Sequence, residues 1–268
     1  MIFGDIIADT SHGVSVVVPA TAVHFDGGTY VDTLGLLTGV SSSASAAGSV
    51  WVKVASNADF GTQTFLIEVD GNGANSPVQI VWQGNSGDPL VAIDVRASTT
   101  ASAEKFFFIA NASQWPAAGN WINMLWSVKT DLAAGNKVCN LYFNDAAISG
   151  STVDTSASFT IDWAGADATT FSIFSHNGGN NFLGDMAHFW FAPGQYLDFS
   201  VEANRRKFIS ALGKPVDLGA DGSTPTGVAP AIFFTGNAAA FVANKGTGGA
   251  ATTWWNGTPL TDAATSPA

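Results

Sequence analysis

Apolar and polar side chains alternate along most of this chain with a period of two residues. In residues 49–55, Val50, Val52 and Val54 fall on one side and Trp51 falls on the other. Such an alternation indicates a strand with one face toward a core and one toward solvent. We therefore expect half-buried strands here and in residues 65–69, 78–82, 91–95, 122–128 and 171–173.

Clusters of Gly, Asn, Ser and Asp separate these segments. They supply the positive backbone angles and local hydrogen bonds that tight turns need. The clusters occur at residues 26–28, 70–73, 84–89 and 177–181. More than ten short strands in one chain predict an all-β, antiparallel, two-sheet jelly-roll sandwich.

One segment in the C-terminal half departs from this pattern and predicts a short helix near residues 200–212. Ser200 can cap it, and Gly213 followed by Pro215 can end it. Its buried stripe would consist of Val201, Phe208, Ile209 and Leu212. We expect this helix to cover an open end of the sandwich, with the basic residues 205–207 reaching nearby carboxylates.

The sequence divides into an N-terminal segment (1–20), one jelly-roll domain (21–245) and a flexible C-terminal arm (246–268). The arm begins with a Gly/Thr/Ala linker that cannot build a core, and it then carries Trp254 and Trp255. An exposed aromatic pair is typical of an interface. The arm either docks on a neighbouring subunit through these indoles or folds back on its own sandwich.

Composition and charge exclude several classes of function. The 268 residues are 46% hydrophobic and carry a net charge of −11, which disfavours nucleic-acid binding because that affinity comes from neutralising phosphates. The uncharged run 222–244 contains prolines and polar turn residues, so we expect two short buried strands and a turn, and no membrane insertion. A secretory signal is not expected, since the first basic residue is Lys53.

Four segments in order resemble the concanavalin A-like, laminin G-like jelly-roll family. Residues 23–31 resemble its opening strand and turn, and Gly119-Asn120-Trp121 with the next strand resembles its G-x-W strand. Residues 141–145 resemble its L-Y-φ-D-G hairpin, with Asn-Asp-Ala in place of the usual Asp-Gly turn, and residues 182–187 resemble its late φ-G-D-φ strand. The resemblance covers roughly residues 20 to 195 and implies the same fold.

Residues 205–223 are similar to the segment that succeeds such domains in tailed-phage structural proteins. This resemblance implies a virion protein that is assembled in the host cytoplasm. It also implies a homo-oligomer with other virion proteins as partners, and host-surface glycans as ligands.

The carboxylates give little support for catalysis. Glucanases of this fold use a Glu-x-Asp-x-x-Glu strand, and here Glu68-Val69-Asp70 is followed by Gly73 at the third position. We interpret Glu68 as a solvated strand end and predict no catalytic residue. Asp70-Gly71-Asn72-Gly73 begins like a calcium loop but lacks the later ligands. No cofactor is predicted, although a calcium site built across loops stays open, because related sandwiches often carry one.

Candidate ligand-binding residues cluster in the Gly/Asn-rich loop. Asparagine amides both donate to and accept from vicinal sugar hydroxyls, and glycines allow close backbone approach. The candidates are His176, Asn177, Asn180 and Asn181, with Trp115. A long hairpin loop without a ligand is the alternative.

The sequence favours a non-enzymatic phage virion surface protein with a lectin-like fold. It would act as a tail-tip or fibre adhesin or as capsid decoration, and it would bind carbohydrate. The alternative is a carbohydrate-active enzyme of the glucanase type or a free carbohydrate-binding module. A pair of carboxylates in a groove would favour the enzyme, whereas aromatic and amide side chains without such a pair would favour binding.

Overall fold

A computed structural model describes the chain over residues 21–32, 37, 39–54, 64–71, 78–85, 88–96, 105–110, 117–163, 168–175, 181–248 and 255–267. Within these ranges the chain forms sixteen strands and two short helices. The predicted N-terminal segment, residues 1–20, lies outside them.

The strands form two antiparallel sheets. The first sheet contains β1 (Val23–Asp26), β3 (Ser45–Lys53), β8 (Ile122–Lys129), β9 (Val138–Phe143), β10 (Ala146–Ala147), β13 (Leu183–Pro193), β14 (Ile232–Phe234) and β16 (Thr261–Asp262). Their order across the sheet is β10-β9-β8-β3-β13-β1-β16, and β14 pairs with the second half of β13.

The second sheet contains β2 (Tyr30–Asp32), β4 (Thr64–Gly71), β5 (Val78–Asn85), β6 (Asp88–Arg96), β7 (Lys105–Ala110), β11 (Gly150–Asp154), β12 (Ala168–Ile173) and β15 (Trp255–Asn256). Their order is β11-β7-β6-β5-β4-β12-β2-β15. The predicted all-β, antiparallel, two-sheet jelly-roll sandwich is confirmed.

The main core lies between the two sheets. Val50 and Val52 of β3 and Met124 of β8 meet Ile80 and Ile93 from the second sheet, and each of the five is at most 1% exposed. The valines alternate with residues that face the other way, as the period-two pattern predicts.

The first sheet is buried on its outer face as well. Trp51, Leu125 and Trp190 belong to a second apolar cluster there, and their exposures do not exceed 2%. Phe208, from the segment after β13, packs edge-on against Trp190, with ring centroids 5.1 Å apart. The prediction of half-buried strands is therefore wrong for β3, β8 and β13, because the chain covers both of their faces. It is also wrong for residues 66–69, 91–95 and 171–173 of the second sheet, where consecutive side chains are buried.

The helix predicted for residues 200–212 is much shorter. Helix α1 spans only Glu202–Arg205, and its N-cap is Val201 rather than Ser200. Phe208 and Ile209 are buried as expected, but Val201 and Leu212 are 48% and 60% exposed.

After α1 the chain turns back instead of continuing as a helix. Ile209 forms a bridge with Pro215, and the Ser210 amide donates to the Lys214 carbonyl. This reversal still brings Phe208 and Ile209 to the outer face of the first sheet, where both are buried. The segment covers that face and not an open end of the sandwich.

The run 222–244 also differs from its prediction of two strands. It contains one strand, β14, and then helix α2 (Ala238–Phe241). The Asn237 side chain accepts a hydrogen bond from the Ala240 amide at 3.1 Å, and three alanines come directly after Asn237. A good N-cap and alanine's helix propensity decide in favour of a helix.

The packing of one buried indole between the sheets depends on a single glycine. Gly48 of β3 lies directly across from Trp126 of β8, and a Cβ at residue 48 would be only 2.2 Å from the indole ring. The indole lies over Gly48 and packs against Phe191 of β13 at 5.6 Å. The large ring therefore bridges three strands of the core.

We predict that Gly48→Ala lowers the free energy of unfolding by about 3 kcal/mol or more, because the added methyl group displaces a buried indole. Gly135→Ala is the control. Gly135 has a positive φ (+78°) and open space around it, so that only backbone strain of about 1 kcal/mol is expected. Equal losses for the two variants in urea denaturation would contradict the account.

Candidate functional site

A hollow of about 380 Å³ opens on the outer face of the first sheet. It lies at the seam between the two segments that cover this face, the 210–215 turn and the C-terminal tail. Its lining residues are Trp51, Asn120, Trp121, Asn144, Gly213, Lys214, Ser266 and Pro267. The volume suits a small ligand or one end of a larger one.

Two indoles form the apolar part of the hollow. Trp51 is 2% exposed and belongs to the outer apolar cluster, and the half-buried Trp121 packs against that cluster. The Trp121 Nε1–H donates to the Thr265 hydroxyl at 3.3 Å, which fixes the orientation of the ring. Trp121 therefore supplies the accessible aromatic surface, while Trp51 is almost entirely enclosed.

A buried amide lies beside these indoles. Asn123 pairs across the sheet with Trp51, and its backbone also bonds to Asn144, just after the end of β9. Because Met124 faces the inner core, Asn123 points to the outer face, between two residues that line the hollow. Its side chain is 0% exposed, and neither its amide nitrogen nor its amide oxygen has a hydrogen-bond partner.

Such an amide is costly for the folded protein. A buried polar group without a partner costs about 1–3 kcal/mol. Asn123 does not itself line the hollow but lies in register between two residues that do, Trp51 and Asn144. Two unpartnered atoms on one side chain beside a hollow are an arrangement that calls for an explanation, and a ligand with hydroxyl groups supplies one.

Two further amides, those of Asn144 and Asn120, lie at the rim. Asn144 and Asp145 form the turn between β9 and β10, with φ values of 47° and 70°. Asn and Asp tolerate this left-handed conformation, which explains how they replace the usual Asp-Gly. The Asn144 Oδ1 accepts from the Asn123 backbone amide at 2.8 Å, so its NH₂ group is left for the exposed side. Asn120, also exposed, donates to the Ala117 carbonyl.

An ionic cluster holds the α1 segment, from which the 210–215 turn continues, against this rim. Asp145 accepts hydrogen bonds from Arg205 and, at 2.6 Å, from Arg206. The Arg205 guanidinium also lies 4.6 Å from the Tyr142 ring centre. Burial alone would raise the pKa of the Asp145 carboxyl, but the hydrogen bonds and charges of Arg206 and Arg205 outweigh it and lower that pKa. The expectation that these arginines reach a carboxylate is confirmed.

The C-terminal tail forms the opposite wall. Strand β15 pairs with β2 of the second sheet, and β16 pairs with β1 of the first. Thr265 also accepts a hydrogen bond from Lys53 at 2.8 Å, and Pro267 is buried. The expectation of a flexible arm is therefore wrong for residues 255–267, which fold back on their own sandwich.

The beginning of the predicted arm is attached as well. The amides of Thr247 and Gly248 donate to the carbonyls of Pro230 and Ala231, each at 2.8 Å. Trp254 lies outside the described residues. The backbone of Trp255 pairs with Val31. Contact of these two indoles with a neighbouring subunit stays a prediction.

The predicted ligand loop falls largely outside the described residues, which do not include His176, Asn177, Asn180 or Trp115. Asn181 is described, and its amide donates to the Gly27 carbonyl at 3.0 Å. This bond ties the end of the loop to the turn after β1. A ligand at this loop stays a prediction.

The expectation that Glu68 is a solvated strand end is wrong. Its side chain is 0% exposed and accepts a hydrogen bond from Gln79 at 3.1 Å, so it is not a solvated strand end. It lies on the second sheet, in register with Ser172 and Gln79, and the next strand continues this row with Asp94. Asp94 forms ion pairs with Arg96 and Lys105. Sequence pattern placed Glu68 near a strand end, but β4 extends to Gly71 and the carboxylate is enclosed.

Within the described ranges, no group of three or more His, Cys, Asp and Glu residues is placed to hold a metal ion. Asp217 and Asp221 accept from backbone amides two residues further along, as Asx turns do. The expectation of no cofactor, with a calcium site across loops left open, stays a prediction. The same part of the chain contains no helix long and apolar enough to cross a membrane.

No protein-family model matches this chain, and no curated protein matches it. Among solved structures, a Bacteroides ovatus protein provisionally described as carbohydrate binding has a TM-score of 0.51 at 13% identity, over 98% of this chain and 67% of that one. A heptameric SAP-like pentraxin from Limulus polyphemus has a TM-score of 0.46 at 11% identity, over 69% of this chain and 81% of that one.

Tailspike protein 2 of an Escherichia coli bacteriophage has a TM-score of 0.44 at 13% identity, over 86% of this chain and 31% of the tailspike. This chain therefore spans about a third of that tailspike. At such identities the likeness concerns the fold. The concanavalin A-like, laminin G-like jelly roll that the sequence resembles is the fold of this chain.

The Asp145 cluster predicts a pH dependence. A carboxyl whose pKa is lowered on folding stabilises the protein above its unfolded pKa of about 4, and this contribution is lost as the pH falls through the folded pKa. We expect Asp145→Asn to cost about 1–3 kcal/mol at pH 7. The difference from the parent protein should shrink as the pH falls below about 4.

The control is Asp131→Asn. Asp131 is 54% exposed and pairs with Lys129 at 3.8 Å, so its loss should have little effect at either pH. Denaturant titrations of the three proteins at pH 7 and pH 3 measure both effects. An Asp145→Asn penalty that is the same at both pH values would contradict the ionic account.

Proposed function

We propose that this chain is a non-enzymatic, lectin-like protein that binds carbohydrate in the hollow on the outer face of the first sheet. A pyranose ring has an apolar face that packs on an indole and a rim of hydroxyl groups that exchange hydrogen bonds with amides. The hollow offers both kinds of surface. The observation that carries the proposal is the buried side chain of Asn123, whose donor and acceptor are both unpartnered.

Binding is favoured over hydrolysis by where the carboxylates lie. Among the described residues that line the hollow, none is Asp or Glu. A glycosidase needs two carboxyl groups on either side of the scissile bond. Glu68 and Asp94 lie on the other sheet, where each is buried and already bonded to a neighbouring side chain.

The proposed setting is the surface of a phage particle, as a tail-tip or fibre adhesin or as capsid decoration. This part of the proposal is supported by the resemblance of residues 205–223 to segments of tailed-phage structural proteins. The proposed partners are further copies of the chain and other virion proteins. Several copies on one particle would strengthen the weak binding that a small open site provides.

We predict that Trp121→Ala lowers glycan affinity at least tenfold, because a stacked Trp side chain commonly contributes about 2 kcal/mol. Phe107→Ala is the control, since it removes a half-buried aromatic ring from the second sheet. A glycan array of the assembled protein identifies the ligand, and calorimetry compares the variants. A blank array, or equal affinities for Trp121→Ala and the parent, would contradict the proposal.

Asn123→Leu separates binding from stability. Removing an unpartnered buried amide should leave the free energy of unfolding unchanged or raise it by up to about 1 kcal/mol, while glycan affinity falls at least tenfold. In the matched control Asn140→Leu, the amide that donates to the buried Ser127 hydroxyl is lost. The control should therefore lose stability and keep its affinity. Strong destabilisation by Asn123→Leu, or unchanged affinity, would show that Asn123 has only a structural role.

A further inference from the structure

The hollow contains one cationic side chain whose charge is not neutralised. Lys214 is half-buried and lines the hollow, and among the described residues its ammonium group has no ion pair and no hydrogen bond. The chain has ten Lys and Arg residues. Seven of them lie within 4.0 Å of a described carboxylate: Lys53, Arg96, Lys105, Lys129, Lys137, Arg205 and Arg206.

Hydrogen bonds fix the backbone of Lys214, whereas its ammonium group has no described partner. Its amide donates to the Ser210 hydroxyl at 3.1 Å, and its carbonyl accepts from the Ser210 amide at 2.9 Å. Gly213 beside it has a φ of +70°, which completes the tight turn. The turn therefore holds this side chain at the edge of the hollow, opposite the C-terminal tail.

Lys207, Lys214 and Lys245 are the three basic residues that have no described carboxylate within ion-pair distance, and of these Lys214 lines the hollow. The net charge of −11 would supply a carboxylate partner at many surface positions, and the described lining of the hollow has none. Asp145, which is adjacent in sequence to the lining residue Asn144, is engaged by two arginines. Among the described residues that line the hollow, a carboxylate brought in by a ligand would thus meet one positive charge and no negative charge.

We propose that the hollow prefers a sugar that carries a carboxylate, such as a uronic or sialic acid, and that Lys214 binds this group. The inference rests on the proposed function. The indoles would take the ring and the amides its hydroxyl groups, while the ammonium would pair with the carboxylate. The attraction is local, because the net charge of the chain repels an anionic ligand at longer range, and added salt should weaken it.

The test uses matched pairs of ligands, sialyllactose with lactose and digalacturonic acid with the corresponding galactose disaccharide. At low salt, the acidic member of at least one pair should bind about tenfold more tightly than the neutral member. This preference should shrink in 0.5 M NaCl, where charges are screened beyond about 4 Å. Lys214→Met should remove the preference, because the affinity for the acidic sugar should fall about tenfold relative to the affinity for its neutral partner.

Lys207→Met is the matched control, because it removes the same charge from a residue that does not line the hollow. It should keep the preference. Neutral sugars that bind as tightly as their acidic partners, or equal effects of the two lysine variants, would overturn the inference and leave the proposed function standing. If neither pair binds while the glycan array shows only neutral ligands, the inference is also overturned. A blank array would overturn both.

Discussion

Burial of the outer face of the first sheet is the constraint on which the rest of this structure depends. In a simple sandwich that face would meet water, but here it carries Trp51, Leu125 and Trp190. Each large aromatic side chain buries about 150–250 Å² of surface, which at about 25 cal/mol per Å² corresponds to several kcal/mol. The chain therefore needs two coverings, the segment that contains α1 and the C-terminal tail, and the hollow lies where they fail to meet.

The polar groups around the hollow result from the same arrangement. Asp145 and its two arginines join the first covering to the β9–β10 turn, and Thr265 joins the second to Lys53 and Trp121. These contacts fix the walls, while the buried Asn123 amide, between the lining residues Trp51 and Asn144, stays without a hydrogen-bond partner. Natural proteins commonly accept a local cost in stability at a functional site, and under the proposed function this amide is such a cost.

The sequence predicts the strands and the inward-facing residues because a period of two directly determines which side chains share a face. It does not predict what covers the outer face, since alternation marks a second face without specifying its neighbours. Phe208 and Ile209 illustrate the difficulty. Their apolar character is visible in the sequence, but a helical stripe and a tight reversal both bury them.

The candidate site is less accessible to sequence reasoning than the fold. Its residues come from five stretches of the chain, near positions 51, 120, 144, 214 and 266, and no motif connects them. The feature of the sequence that could have indicated this site is Asn123, a polar residue within a strand rich in large apolar side chains. Trp51 and Trp121 lie in or beside apolar strand patterns, where a core position is the simpler explanation for a Trp, and the tail that completes the hollow has the composition of a linker.

A crystal structure of the protein with its best array ligand tests the central claim most directly. We expect the pyranose ring against the Trp121 indole, with a hydroxyl group within hydrogen-bond distance of the Asn123 amide. A ligand bound at the loop of residues 176–181, or at any other site while the hollow contains only solvent, would contradict the account.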